Sequence, residues 1–121
     1  MNMQTAIERI LEFHGLLKAY QRNPNFCVKL ENPGYMDLII NRLPGFGKEG
    51  TVSIAHYFQQ NGDAVPDPDI LFALPDWAPV EYQDSLSYTQ DAGRIAAFAS
   101  SWAQNLLDQG WDRRSKVKKR L

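Results

Sequence analysis

The chain has two histidines, His14 and His56, and both fall where the local period calls for an apolar side chain. His14 fills the seventh step of a stripe through Ile7, Ile10, Leu11 and Leu17, while His56 shares a strand face with Val52, Ile54 and Phe58. Downstream of His56 come Asp63, Asp67 and Asp69, spaced so that several carboxylates share a single turn. Imidazole nitrogens and carboxylate oxygens are the ligands a divalent metal takes, and a carboxylate near an imidazole can also move protons. One expectation is therefore a metal-dependent or acid-base enzyme centred on His56 with Asp63, Asp67 and Asp69, in which His56, Asp63 and Asp67 hold the metal. The plainer expectation weighs more: histidine on an apolar face is commonly a hydrogen-bonded core residue, and Asp in a Pro-rich loop commonly bonds turn amides. No cofactor is expected.

Other chemistry has less support. Cys27 sits in a strand with no histidine beside it, and Ser85, Ser87, Ser100 and Ser101 lack the context of a nucleophile elbow. The loop Gly45-Phe46-Gly47-Lys48-Glu49-Gly50 matches neither glycine fingerprint and joins strands rather than opening a helix, so it reads as a connection. Aromatic residues are the stronger lead. Tyr57, Tyr82, Tyr88, Trp77 and Trp111 exceed what the core stripes need, and surplus Tyr and Trp anchor interfaces, whereas Trp102 belongs to a helix stripe.

Charge is partitioned along the chain. Residues 1–60 hold six basic and five acidic side chains; residues 61–112 hold one basic residue, Arg94, against nine acidic ones, among them Asp63, Asp67, Asp69 and Asp84. The last nine residues carry Arg113, Arg114, Lys116, Lys118, Lys119 and Arg120 and no acid. An acidic stretch with aromatics suits a basic protein groove, as a competitor of nucleic acid would. The basic residues could instead contact phosphates, but without interleaved aromatics a solvated, mobile tail over 113–121 is favoured.

The elements that must position these residues follow from period and punctuation. A helix is expected over 4–21 with a capping box at Thr5 and Glu8, stopped by Asn23-Pro24. Strands are expected at Phe26–Glu31, Tyr35–Leu43, Thr51–Gln60, Ile70–Leu74 and around Val80–Tyr88. Asn61-Gly62 is the preferred pair for a two-residue hairpin, although Pro66 and Pro68 delay the next strand and imply a wider connection. A second helix over Ala92–Gln109 ends at Gly110. The expected fold is α+β, an antiparallel meander of four or five strands packed with an N-terminal and a C-terminal helix, forming one domain over residues 1–112.

At 121 residues with 44 % hydrophobic residues the chain can bury a core without staples. No run of about 18 apolar residues is present, so no membrane partner is expected and the cytoplasm is the default compartment. A monomer or a homodimer through a free strand edge are both open.

The string His56-Tyr57-Phe58-Gln59-Gln60-Asn61-Gly62-Asp63 followed by Asp67-Pro68-Asp69, with Met36-Asp37-Leu38, Tyr82-Gln83-Asp84 and Trp102–Gly110 around it, resembles the signature of a family of small bacterial proteins of unknown function. The resemblance runs from the first helix to Gly110. It implies a bacterial or phage source and frequent association with mobile elements, whose small cargo proteins include inhibitors of host defence. Together these readings favour a small non-enzymatic protein that binds a bacterial protein partner through Tyr57, Asp63, Asp67, Asp69, Trp77, Tyr82, Asp84 and Tyr88. A nucleic-acid-binding accessory role for the basic tail is a third expectation.

Overall fold

The computed structural model describes residues 1–121. Helix α1 (Met3–Phe13) buries Met3, Ala6, Ile7, Ile10 and Leu11, the i, i+3, i+4 stripe of an amphipathic helix. Its cap is Asn2, whose side chain accepts from the Thr5 amide at 2.8 Å, so the capping box expected at Thr5 is replaced by an N-cap three residues earlier. The helix does not continue to 21. It ends at His14 and Gly15, where Gly15 takes φ +69°, its amide bonds Glu12 O, and the Leu16 amide reaches back to Leu11 O at 2.8 Å. This is a Schellman termination, after which a short α2 (Leu17–Arg22) starts in a new direction and buries Tyr20.

Seven antiparallel strands follow or close the fold: β1 (Cys27–Glu31), β2 (Leu38–Leu43), β3 (Thr51–Gln60), β4 (Asp63–Ala73), β5 (Ala78–Gln83), β6 (Tyr88–Thr89) and β7 (Lys116–Arg120). The order is β6-β5-β4-β3-β2-β1-β7. The first six form the expected meander; α3 (Ala92–Asp108) then crosses one face and returns the chain to the opposite edge. Seven strands replace four or five for identifiable reasons. The hairpin at Asn61-Gly62 is tight, with both residues at positive φ and Gln60 paired to Asp63, so β4 begins before the prolines. Pro66 and Pro68 are tolerated because that half of β4 pairs with β3 alone, β5 joining only from Asp69 onward.

The segment expected as a free basic tail is instead the edge strand β7, paired with β1 through Val28↔Arg120, Lys29↔Lys119, Leu30↔Val117 and Glu31↔Lys116. Val117 pairs with an apolar residue, the Arg120 guanidinium lies over the Phe26 ring, and Lys118 bonds Asp37 at 2.8 Å, contacts a charge count cannot foresee.

All helices pack on one face. Val28, Leu30, Leu38, Ile40, Val52, Ile54, Ile70 and Phe72 join the helix stripes, including Ile95, Ala99, Trp102 and Leu106 of α3, in one core of 25 buried residues. Trp111 is wholly buried in that core, which removes it from the set of surplus surface aromatics. No helix is long and apolar enough to cross a membrane.

Candidate functional site

The face of the sheet opposite the helices has no covering layer, and the register writes out what it carries. One row crosses all seven strands: Lys119, Lys29, Ile39, Ala55, Asp69, Gln83 and Tyr88. A second runs Cys27, Asn41, Ser53, Leu71 and Glu81. The open face is therefore basic at the β7 side, mixed and with buried small residues across β2 and β3, and acidic and aromatic toward β5 and β6.

Two separate tyrosine–carboxylate pairs stand at the acidic end of the sheet, Tyr57–Asp69 on the open face and Tyr82–Asp84 on the helix side, where the Tyr82 ring packs on Phe98 of α3 at 5.0 Å. Asp69 accepts from the Ser53 hydroxyl and from the Tyr57 hydroxyl, each at 2.6 Å. Tyr82 donates to Asp84 at 2.5 Å, and the other Asp84 oxygen accepts the Leu86 and Ser87 amides and the Ser87 hydroxyl. Burial, followed by the bond to Asp69, pushes the Tyr57 phenol well above its usual value; burial and Asp84 push Tyr82 up to about 12. The Asp84 carboxyl is held below its usual range, first by Tyr82 and then by the Leu86 amide. Each phenol thus stays protonated and holds its carboxylate partner in a fixed orientation, an arrangement that presents ring faces and negative charge without having to organise them on contact. Tyr88 and Leu86 lie exposed beside them. Asp67 bears electrostatically on Tyr82 and on His56, both on the helix side, while Asp63 is exposed at the hairpin turn.

His56 is a buried core side chain with no cluster of metal ligands around it. Its ring lies on the helix face, 93 % buried, with Trp102 at 5.4 Å and Trp111 at 5.9 Å between centroids. Its Nδ1 stands 2.9 Å from the Asp37 carbonyl, which can only accept, so Nδ1 carries the proton. Asp69 pairs with Ala55 and points to the other face, and Asp63 lies about 13 Å further along the hairpin at strand rise. No three His, Cys, Asp or Glu side chains converge anywhere to hold a metal. Burial lowers the His56 pKa, as expected of a core imidazole.

His14 is likewise structural. It closes α1, and its Nε2 lies 2.9 Å from the Ser115 hydroxyl, which itself donates to Trp111 O at 2.5 Å; the ring therefore donates and ties α1 to the turn before β7. Trp77, expected in the binding set, is 9 % exposed and packs on Phe72 at 5.2 Å, away from the acidic corner. Arg113, Arg114, Lys116, Lys118, Lys119 and Arg120 sit in β7 or the turn before it, with Arg113 and Arg114 spending donors on Leu107 O and Gln109 O at the end of α3. Two residues of interest escaped the sequence reading. Ser53 shows no signal of its own, whereas Arg42 was legible as a cation at the third inward position of β2 after Leu38 and Ile40.

Fold and site together define a small two-layer α+β domain whose sheet offers one open face with an aromatic, acidic corner, consistent with a non-catalytic interaction surface. The chain belongs to the family described as Domain of unknown function (DUF6908), which it matches over residues 5–111. No curated protein and no solved structure matches it.

Proposed function

We propose that the protein acts without catalysis, by covering a basic surface of a protein partner with the acidic end of the sheet, which carries Tyr57, Asp63, Asp67, Asp69, Tyr82, Asp84 and Tyr88. The observation that supports this reading is that two phenols at that end, Tyr57 and Tyr82, are each already bonded to a carboxylate, Asp69 and Asp84, so that charge and ring are held in place before contact. Fixed phenols and carboxylates recognise Lys and Arg side chains by charge and by ring-face contact, with little ordering cost. A groove that ordinarily receives nucleic acid has that chemistry, so an inhibitor of a nucleic-acid-handling or host-defence complex in a bacterial cytoplasm is the finer form of the proposal. The resemblance to small bacterial proteins carried on mobile elements supports it.

The test is capture of partners from bacterial lysate by tagged protein in three forms: wild type, Asp67→Lys/Asp84→Lys, and Lys116→Ala/Lys119→Ala. A stoichiometric protein lost only with the first variant is the expected result. Nucleic acid lost only with the second would replace this reading with an accessory role for the basic strand.

A further inference from the structure

The molecule has a second polar site at the other end of β2. Arg42 is 9 % exposed, and no carboxylate lies within 4 Å of its guanidinium, the ion pairs of the chain being Arg113–Asp112 and Lys118–Asp37. Its Nη1 donates to Tyr20 O at 3.0 Å and Gln21 O at 3.1 Å, and its Nη2 to Glu49 O at 2.8 Å. A guanidinium has five N–H donors, so two remain, one on Nη2 and the one on Nε. The Nε is buried without a partner, and so is the hydroxyl of Tyr20, whose ring centroid lies 5.7 Å from the guanidinium carbon. Two orphaned polar atoms in two touching residues are a concentrated cost, since such groups are nearly always satisfied in a folded interior.

Arg42 lines an open cleft of about 510 Å³ between the end of α2 and the loop 44–50. Arg22 and Lys48 line it too, against a single acid, Glu49. The loop that forms its far wall is held rigidly: Gly47 has φ +86°, and a Cβ there would collide with the Leu74 backbone. The Glu49 amide bonds Leu74 O and the Leu74 amide bonds Gly50 O.

We infer that this cleft is an anion site that takes a phosphate group of a small ligand, with Arg42 as the buried cation and Arg22 and Lys48 as its exposed partners. An oxyanion there supplies the counter-charge that Arg42 lacks and an acceptor for its remaining Nη2 donor, and three cations around one group match a dianion better than a single carboxylate. The site is independent of the acidic corner, which lies on the other half of the sheet.

Inorganic phosphate, titrated into ¹⁵N-labelled full-length protein at constant ionic strength, is the probe. Saturable shifts are expected at the guanidinium of Arg42 and at the cleft-lining residues Gly45, Gly47 and Lys48. Arg22→Gln and Lys48→Gln, both exposed and outside the core, are each expected to weaken the apparent Kd about fivefold while leaving the melting temperature of the free protein unchanged. Shifts that fail to saturate, that sodium chloride reproduces, or that survive the double variant unchanged would overturn the site. Saturation by citrate with none by phosphate would overturn the ligand class.

Discussion

The two ends of the sheet carry opposite charge and hold it differently. At the β5–β6 end, Asp69 and Asp84 each receive donors from a tyrosine and from a neighbouring hydroxyl or amide, so the charge is oriented by the fold. At the β7 end every strand residue is exposed, with Lys118 tied to Asp37 and Arg120 over the Phe26 ring, while Lys116 and Lys119 make no ion pair. Preorganised charge gives specificity; exposed charge on flexible stems gives steering that salt screens, and lysines along an outer strand also discourage another strand from pairing with it. The sheet separates the two jobs, and it argues against a homodimer built by pairing β7 with β7, which would set cation against cation.

The sharpest way to break this contrast is at the element that joins β7 to the core. Trp111→Ala removes a wholly buried ring that packs near His56 and Tyr35, and a loss of about 3–5 kcal/mol in urea unfolding is expected. If β7 were only an appendage, amide exchange would rise there and nowhere else; exchange is expected to rise across β1, β2 and β3 as well. A smaller effect should separate the two ends. Tyr57→Phe deletes one donor to a carboxylate and should cost about 1 kcal/mol, whereas Lys118→Ala at the exposed end should leave the melting midpoint unchanged. Equal effects from the two variants would erase the distinction between oriented and free charge.

Proton linkage gives the gentlest test. Burial holds the His56 pKa below its ordinary value of 6.5, so the unfolded chain takes up the proton first. Stability is then complete above about pH 6.5 and falls as the pH drops below it, levelling once the folded pKa is passed. His56→Gln should remove most of that slope, His14 contributing the rest in the same direction. At the alkaline end the sign reverses in position. Tyr20 and Tyr82 are pushed up to about 12, so stability is full below pH 10 and declines between pH 10 and 12, with phenolate absorbance appearing later in folded than in urea-unfolded protein.

Comparison of the two helix ends explains how much was legible. Gly110 marks the end of α3, with its amide on Leu107 O and the Trp111 amide on Leu106 O, and the sequence shows it because the apolar period stops there. Gly15 ends α1 by the same pair of bonds, yet Leu16 and Leu17 keep the period running past it, so periodicity alone joins α1 to α2. The glycine was the stronger signal in both cases.

The acidic corner was partly legible for a similar reason. Tyr57, Asp67, Asp69, Tyr82, Asp84 and Tyr88 could be singled out by type, because surplus aromatics among carboxylates are unusual in a core. Trp77 and Trp111 share that type and are buried, since exposure depends on what packs against a residue and not on its own chemistry.

The sequence by itself determined the α+β class, the meander, the turn at Asn61-Gly62 and the inward set of β2 and β3, because alternation, helical period and backbone-specific residues act over a few positions. Only the tertiary structure decided that the basic terminus becomes an edge strand, that His56 lies between two tryptophans, and that Arg42 stands without a counter-charge. Each of those depends on a partner tens of residues away, and pairing at that range is set by the closure of the whole sheet and core, which no local pattern encodes.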